Sequence, residues 1–176
     1  MVRARLAAAV ALTITLGGVL PAGAAELPVR RPGLWEIKIK LTGGAAPTAM
    51  MRHCTDESTD RKMSTMFNPL APPPCPKSDI QKRADGFTLD SVCRADDKNV
   101  TLHSKVTGDF LSHYTVVTET KTQDEPDTEP SVSSMTLEGT YLGACKLGQK
   151  PGDVMMAGGM KLNIKDLDDF RKKLKR

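Results

Sequence analysis

The sequence predicts a mainly β domain, an antiparallel and strongly curved sheet or open barrel of about six or seven strands, with one short helix and a C-terminal helical tail, stapled by disulfides. Three observations predict it. Several stretches alternate strictly between apolar and polar residues, glycine-bearing turn dipeptides separate some of them, and four cysteines occur in a chain that begins like an export signal.

Met1-Val2-Arg3-Ala4-Arg5 is a basic start, Leu6 to Leu20 is an uncharged apolar run, and Ala22-Gly23-Ala24 supplies small residues for signal peptidase. The run is short for a membrane span, which needs about 20 strongly apolar residues. Cleavage is expected after Ala24 or Ala25. The organisation is then a signal peptide at 1–24, a β-rich disulfide-stabilised domain at 25–148, and a linker with a basic amphipathic tail at 149–176. A periplasmic or secreted location follows. Loss of Arg3 and Arg5 lowers the formal charge from +4 to +2, which excludes a nucleic-acid footprint.

Leu34 to Leu41 places Trp35, Ile37, Ile39 and Leu41 on one side and Glu36, Lys38 and Lys40 on the other, the pattern of a strand with one wet face. A weaker strand is expected at Ala49 to Cys54. Thr55 can cap a helix whose acids precede its bases, ending near Phe67 before Asn68-Pro69. Asp56, Glu57 and Asp60 are read there as solvated charges. Leu70 to Pro76 is proline-rich loop.

Asp85-Gly86 suits a type I′ hairpin between Ile80 to Ala84 and Phe87 to Arg94, pairing Ala84 with Phe87 and Ile80 with Ser91. Gly108-Asp109 suits a type II′ turn, which sets Val106 against Leu111, Leu102 against Thr115 and Val100 against Val117. That register partly buries His113 and exposes His103, so the two imidazoles face apart and a shared metal is not expected. Gln123 to Pro130 is an acidic surface loop, and Ser133 to Cys145 a further strand with Met135, Leu137, Gly139 and Tyr141 in one phase. Lys150 to Met160 reads as linker, followed by a helix capped by Asn163 with Ile164, Leu167, Phe170 and Leu174 along one stripe.

Cys54, Cys75, Cys93 and Cys145 lack CxxC-type metal spacing and read as a disulfide framework with three possible connectivities. Local closure around the helix favours Cys54 with Cys75. Cys93 and Cys145 each follow a strand in the inward phase, which favours their pairing.

Pro32-Gly33-Leu34-Trp35-Glu36, the spacing of Cys54, Cys75 and Cys93, and the terminal Gly143-Ala144-Cys145 together resemble the secreted proteobacterial family called domain of unknown function 3617. The resemblance covers about Arg31 to Cys145. It implies an envelope location and a compact disulfide-bonded domain, with no catalytic residues to carry over.

No nucleophile elbow, HExxH or phosphate-binding glycine loop is present, so no catalytic residue is assigned and the reading leans against an enzyme. No cofactor is expected. The leading expectation is an exported, non-enzymatic envelope binding or accessory module for an envelope ligand or protein. An alternative is a methionine-based Cu(I) binder. Thioethers are soft ligands, and Met155, Met156 and Met160 lie in a glycine-flanked segment with no evident core to fill. The basic end, Arg171 to Arg176, offers a weak contact with an anionic membrane surface.

Overall fold

The computed structural model describes residues 26–42, 48–66, 75, 77–95, 98–123 and 129–166. The stretch at 1–24 read as a signal peptide, most of 70–76, the middle of the stretch read as an acidic loop and the expected tail stripe beyond Ile164 lie outside the described residues.

Among the described residues nine strands form one antiparallel sheet. In chain order they are β1 (Gly33–Thr42), β2 (Ala49–Thr55), β3 (Lys77–Arg83), β4 (Gly86–Ala95), β5 (Lys98–Gly108), β6 (His113–Gln123), β7 (Ser131–Gly143), β8 (Asp153–Met156) and β9 (Lys161–Asn163). Helix α1 (Glu57–Met66) follows β2, and a helical turn at 164–166 follows β9. The spatial order is β3-β4-β5-β6-β7-β1-β2-β8-β9. The expected strong curvature and barrel closure are therefore corrected: the sheet is open and not strongly curled. Closure would require its two edge strands to pair, but β3 reads Lys-Ser-Asp-Ile-Gln-Lys-Arg and β9 is three residues long. Charged and very short edges discourage further strand pairing.

The alternation in β1 does what its pattern dictates. Trp35 is 0 % exposed and Ile37 2 %, and they form a core with Val106, Phe110 and Tyr114. Phe87, Val116, Leu137 and Tyr141 pack against it. The Tyr114 ring lies 5.6 Å from that of Trp35 and stacks on Phe110 at 5.2 Å. Gly139 faces Tyr114 across β6 and β7, and any Cβ there would collide with the ring. The opposite face carries Lys38, Lys40, His103, Lys105 and Glu119, all exposed or half-buried. A smaller cluster of Met63, Val154 and Ile164 binds α1 to the β8–β9 end.

Two hairpin registers differ from expectation. Between β3 and β4 the turn residues are Ala84 and Asp85, so Ile80 pairs with Leu89 and Lys82 with Phe87. A shift of two preserves parity, and Phe87, Leu89, Ser91 and Cys93 keep the expected phase. Between β5 and β6 the shift is odd. Gly108 pairs with Tyr114 and Val106 with Val116, which leaves Leu111 57 % and Val117 43 % exposed. Asp109 causes this. Its Oδ1 accepts the backbone N–H groups of Leu111, Ser112 and His113, closing a wider loop than a two-residue turn. Those donors hold its carboxyl well below the usual carboxylate range, the Ser112 N–H most of all. Phe110 adopts φ 56° in that loop and is buried. His103 and His113 are consequently both exposed, and the expected contrast between them is withdrawn.

The helix cap also moves by one residue. Asp56, not Thr55, accepts the Thr59 N–H through its carboxylate, while the Asp56 N–H donates to Thr59 Oγ1. The segment read as linker within 149–176 is instead part of the sheet: Arg52 pairs with Met155, His53 with Val154, and Met155 with Lys161.

The cysteine pairing is corrected as well. The bridges are Cys54–Cys145 and Cys75–Cys93, with no free cysteine among the described residues. β1 lies between β2 and β7, and Leu34 pairs with Cys54 on one side and with Gly143 on the other. The long bridge thus straddles the start of β1, where Leu34 is 2 % exposed. Cys93 points into the opposite face beside Val100 and Leu102, with Cys75 packed against them.

Candidate functional site

Two arrangements concentrate polar or soft side chains. The first lies between α1 and the sheet. The segment before β1 places Arg30 so that its backbone N–H donates to Asp60 Oδ2 at 2.8 Å and its Nε to Oδ1 at 2.6 Å. Arg30 Nη1 donates to the Tyr114 hydroxyl at 3.2 Å, and the guanidinium lies 5.7 Å from the Trp35 ring centroid. Arg30 is 7 % and Asp60 1 % exposed. Asp60 is therefore no solvated helix charge but half of a sealed ion pair. Thr59 and Met63, on the same side of α1, are buried with it.

His53 completes this region from β2, opposite Trp35. Burial first, and the Arg30 charge second, push its imidazole from 6.5 down to about 3. The Tyr114 hydroxyl is pushed up by burial, against the Arg30 charge. The cluster's acid and base are closed off from solvent and tie the segment before β1 to α1 and the sheet.

One pH effect follows. The unfolded chain takes up a proton at His53 near 6.5 and the folded chain only near 3. The unfolded state thus binds more protons in this window, so this contribution to stability is complete above 6.5 and lost as the pH falls toward 3. Urea unfolding should lose about 2 kcal/mol between about pH 7 and about pH 5, and His53→Gln should flatten the dependence. A wild-type midpoint unchanged over that range would refute it.

The second arrangement is an open groove of about 550 Å³ where β2 meets β8, in the size range of small-molecule sites. Met50, Met51, Met155 and Met156 line it with Arg52, Lys146, Gln149 and Lys161. Arg52 is paired with Glu36 at 3.1 Å and Lys161 with Asp153 at 2.7 Å. Burial raises the Asp153 carboxyl, but hydrogen bonds from Lys161 and Asn163 and from the Lys150 N–H bring it below its ordinary value overall. Gln149 Nε2 donates to Met155 Sδ at 2.7 Å, which orients that thioether.

Of the methionines singled out from sequence, Met155 and Met156 are consecutive in β8 and so project to opposite faces of the sheet. Met160, 64 % exposed, lies beyond the groove lining. Met50 instead shares the face of Arg52 and Met155, and Met51 that of Met156. Proximity in sequence grouped Met155 with Met160, whereas the β2–β8 pairing of Met51 with Met156 is a long-range contact. Among the described residues no cluster of three or more His, Cys, Asp or Glu is placed to hold a metal ion, and no helix is long and apolar enough to cross a membrane.

No curated protein and no solved structure matches the chain. The family described as protein of unknown function (DUF3617) matches residues 30–145, from the buried Arg30 to the second half of the long disulfide, so β8 and β9 lie outside the match. On the extent of that match, the chain belongs to the DUF3617 family.

Proposed function

We propose that the mature chain is an exported, non-enzymatic binding or accessory module of the cell envelope, and that its ligand enters the groove between β2 and β8. The groove carries the reading. It has a thioether floor, adaptable in shape, and cations at its margin, a lining suited to an elongated apolar ligand with a polar or anionic end. Two disulfides agree with an oxidising compartment.

The test is a thermal-shift screen of the oxidised mature protein against lipids, envelope fractions and metals, beside intact-mass measurement of the exported chain. A first residue of Ala25 or Glu26 is expected, with a stabilising shift that Met155→Glu abolishes. A chain still beginning at Met1, or a shift indifferent to Met155→Glu, refutes the assignment.

Two thioethers on one face of the groove, Met50 and Met155, favour a second reading, Cu(I) binding. It predicts that Met50→Leu with Met155→Leu abolishes competition with a Cu(I) chelator. Competition lost instead on Met160→Leu would restore the grouping suggested by sequence.

A further inference from the structure

The part of the chain beyond the family match differs sharply in charge from the part within it. Residues 30–145 hold fourteen Lys and Arg against sixteen Asp and Glu, whereas 146–176 hold nine against four. The net values are −2 and +5. The described part of this basic extension, 146–166, lies at the β2–β8 end of the sheet. The turn after Cys145 and the turn joining β8 to β9 flank the same groove, and Lys161 Nζ ties them by donating to the Gly148 carbonyl at 3.0 Å.

Each turn carries an apolar side chain in solvent. Leu147 is 106 % exposed and Met160 64 %, and Met156 and Met50, at 38 % and 41 %, line the groove that these turns flank. Gly148, Gly158 and Gly159 have φ of 81°, 88° and 85°, the tight conformations that hold these tips outward. Lys146 and Lys150 are exposed beside Leu147 and enter no ion pair among the described residues.

We propose that these two turns form a docking tip for an anionic bilayer surface, with Leu147 and Met160 entering the headgroup–acyl boundary and Lys146 and Lys150 meeting lipid phosphates. This rests on the envelope reading above and names its partner. The combination selects the occupant. Lysines alone would suit any polyanion, but protruding apolar side chains interleaved with them gain nothing from a nucleic acid and gain most from a lipid interface. The tip is part of the folded sheet, distinct from the basic run at Arg171 to Arg176.

Co-sedimentation of the full mature chain with vesicles of phosphatidylglycerol and phosphatidylcholine in equal parts tests it. Binding should exceed that to pure phosphatidylcholine and weaken with salt. Leu147→Ser with Met160→Ser should cut partitioning about tenfold. Lys146→Gln with Lys150→Gln should cut it by about fivefold per lysine. Arg171→Gln with Lys172→Gln and Lys173→Gln should leave the dependence on Leu147 and Met160 intact. The buried Trp35 reports by its fluorescence that each variant is folded. No preference for anionic vesicles, or equal partitioning of the Leu147 and Met160 variant and the parent, overturns the docking tip. A chain that is exported and takes a ligand yet ignores vesicles refutes this tip alone, whereas a chain retained unprocessed refutes the envelope reading whatever the vesicles show.

Discussion

Replacing Cys54 and Cys145 together by alanine should cost about 4.5 kcal/mol of folding stability, against about 3 for the Cys75 and Cys93 pair. The bridges span separations of 91 and 18 residues, and a longer loop confines the unfolded chain more. A domain of this size has a net stability of about 5 to 15 kcal/mol, so the first variant should be close to the unfolding threshold and the second clearly folded. The long bridge also clamps β2 to β7 across the start of β1. Urea titration of the two double variants measures the difference, and non-reducing peptide mapping checks the pairing. A larger loss from Cys75 and Cys93, or a Cys54–Cys75 linked peptide, would contradict the fold.

Asp60→Ala should cost about 3 to 5 kcal/mol, because it leaves the Arg30 guanidinium buried without its counter-charge. The loss reflects the stranded cation more than the worth of the pair. Replacing Arg30 by methionine and Asp60 by leucine together should therefore restore much of it, since well-packed apolar residues of similar volume often substitute for a buried pair at little cost. Chemical denaturation of the single and double variants gives the comparison. A double variant as unstable as Asp60→Ala would mean that the hydrogen bonds to the Arg30 N–H and the Tyr114 hydroxyl, not the charges, hold this region.

The parity of β1, β4, β5 and β7 was legible from sequence because it depends only on which neighbours alternate. Trp35, Ile37, Cys93, Val100, Leu102, Val106 and Met135 are buried as their phase requires. Register was less legible. Gly108-Asp109 satisfies a turn rule, but the Asp109 carboxylate has three backbone N–H groups within reach, and that capping outcompetes the shorter turn. The Asp-x-x-Ser spacing of Asp109 and Ser112 was the available signal. β8 and β9 are too short and too glycine-bounded to show a period, and their pairing is decided by β2, a hundred residues earlier in the chain. Asp60 looked like one more surface acid because its partner Arg30 lies on another segment. The pairing of Cys54 with Cys145 follows from strand order, which no local pattern encodes. The groove methionines share that fate: Met50 and Met51 meet Met155 and Met156 only through the sheet.

The place of β1 has a kinetic consequence. β1 is the first strand of the domain in the chain and sits in the interior of the sheet, yet its partner β7 comes about a hundred residues later. Such remote pairing is slow, because the ends of a long loop must meet before the contacts reward the search. In a chain threaded N-terminus first through a translocon, Trp35, Ile37 and Ile39 would emerge on a strand with one flank open until β7 arrives, a species open to aggregation. Oxidation runs against the same order. Cys75 is the first thiol to join Cys54 on the far side, and the native pattern nests Cys75–Cys93 inside Cys54–Cys145. If the chain is exported as proposed, vectorial oxidation would form the consecutive bridge first, and reaching the native pattern would then require thiol–disulfide exchange.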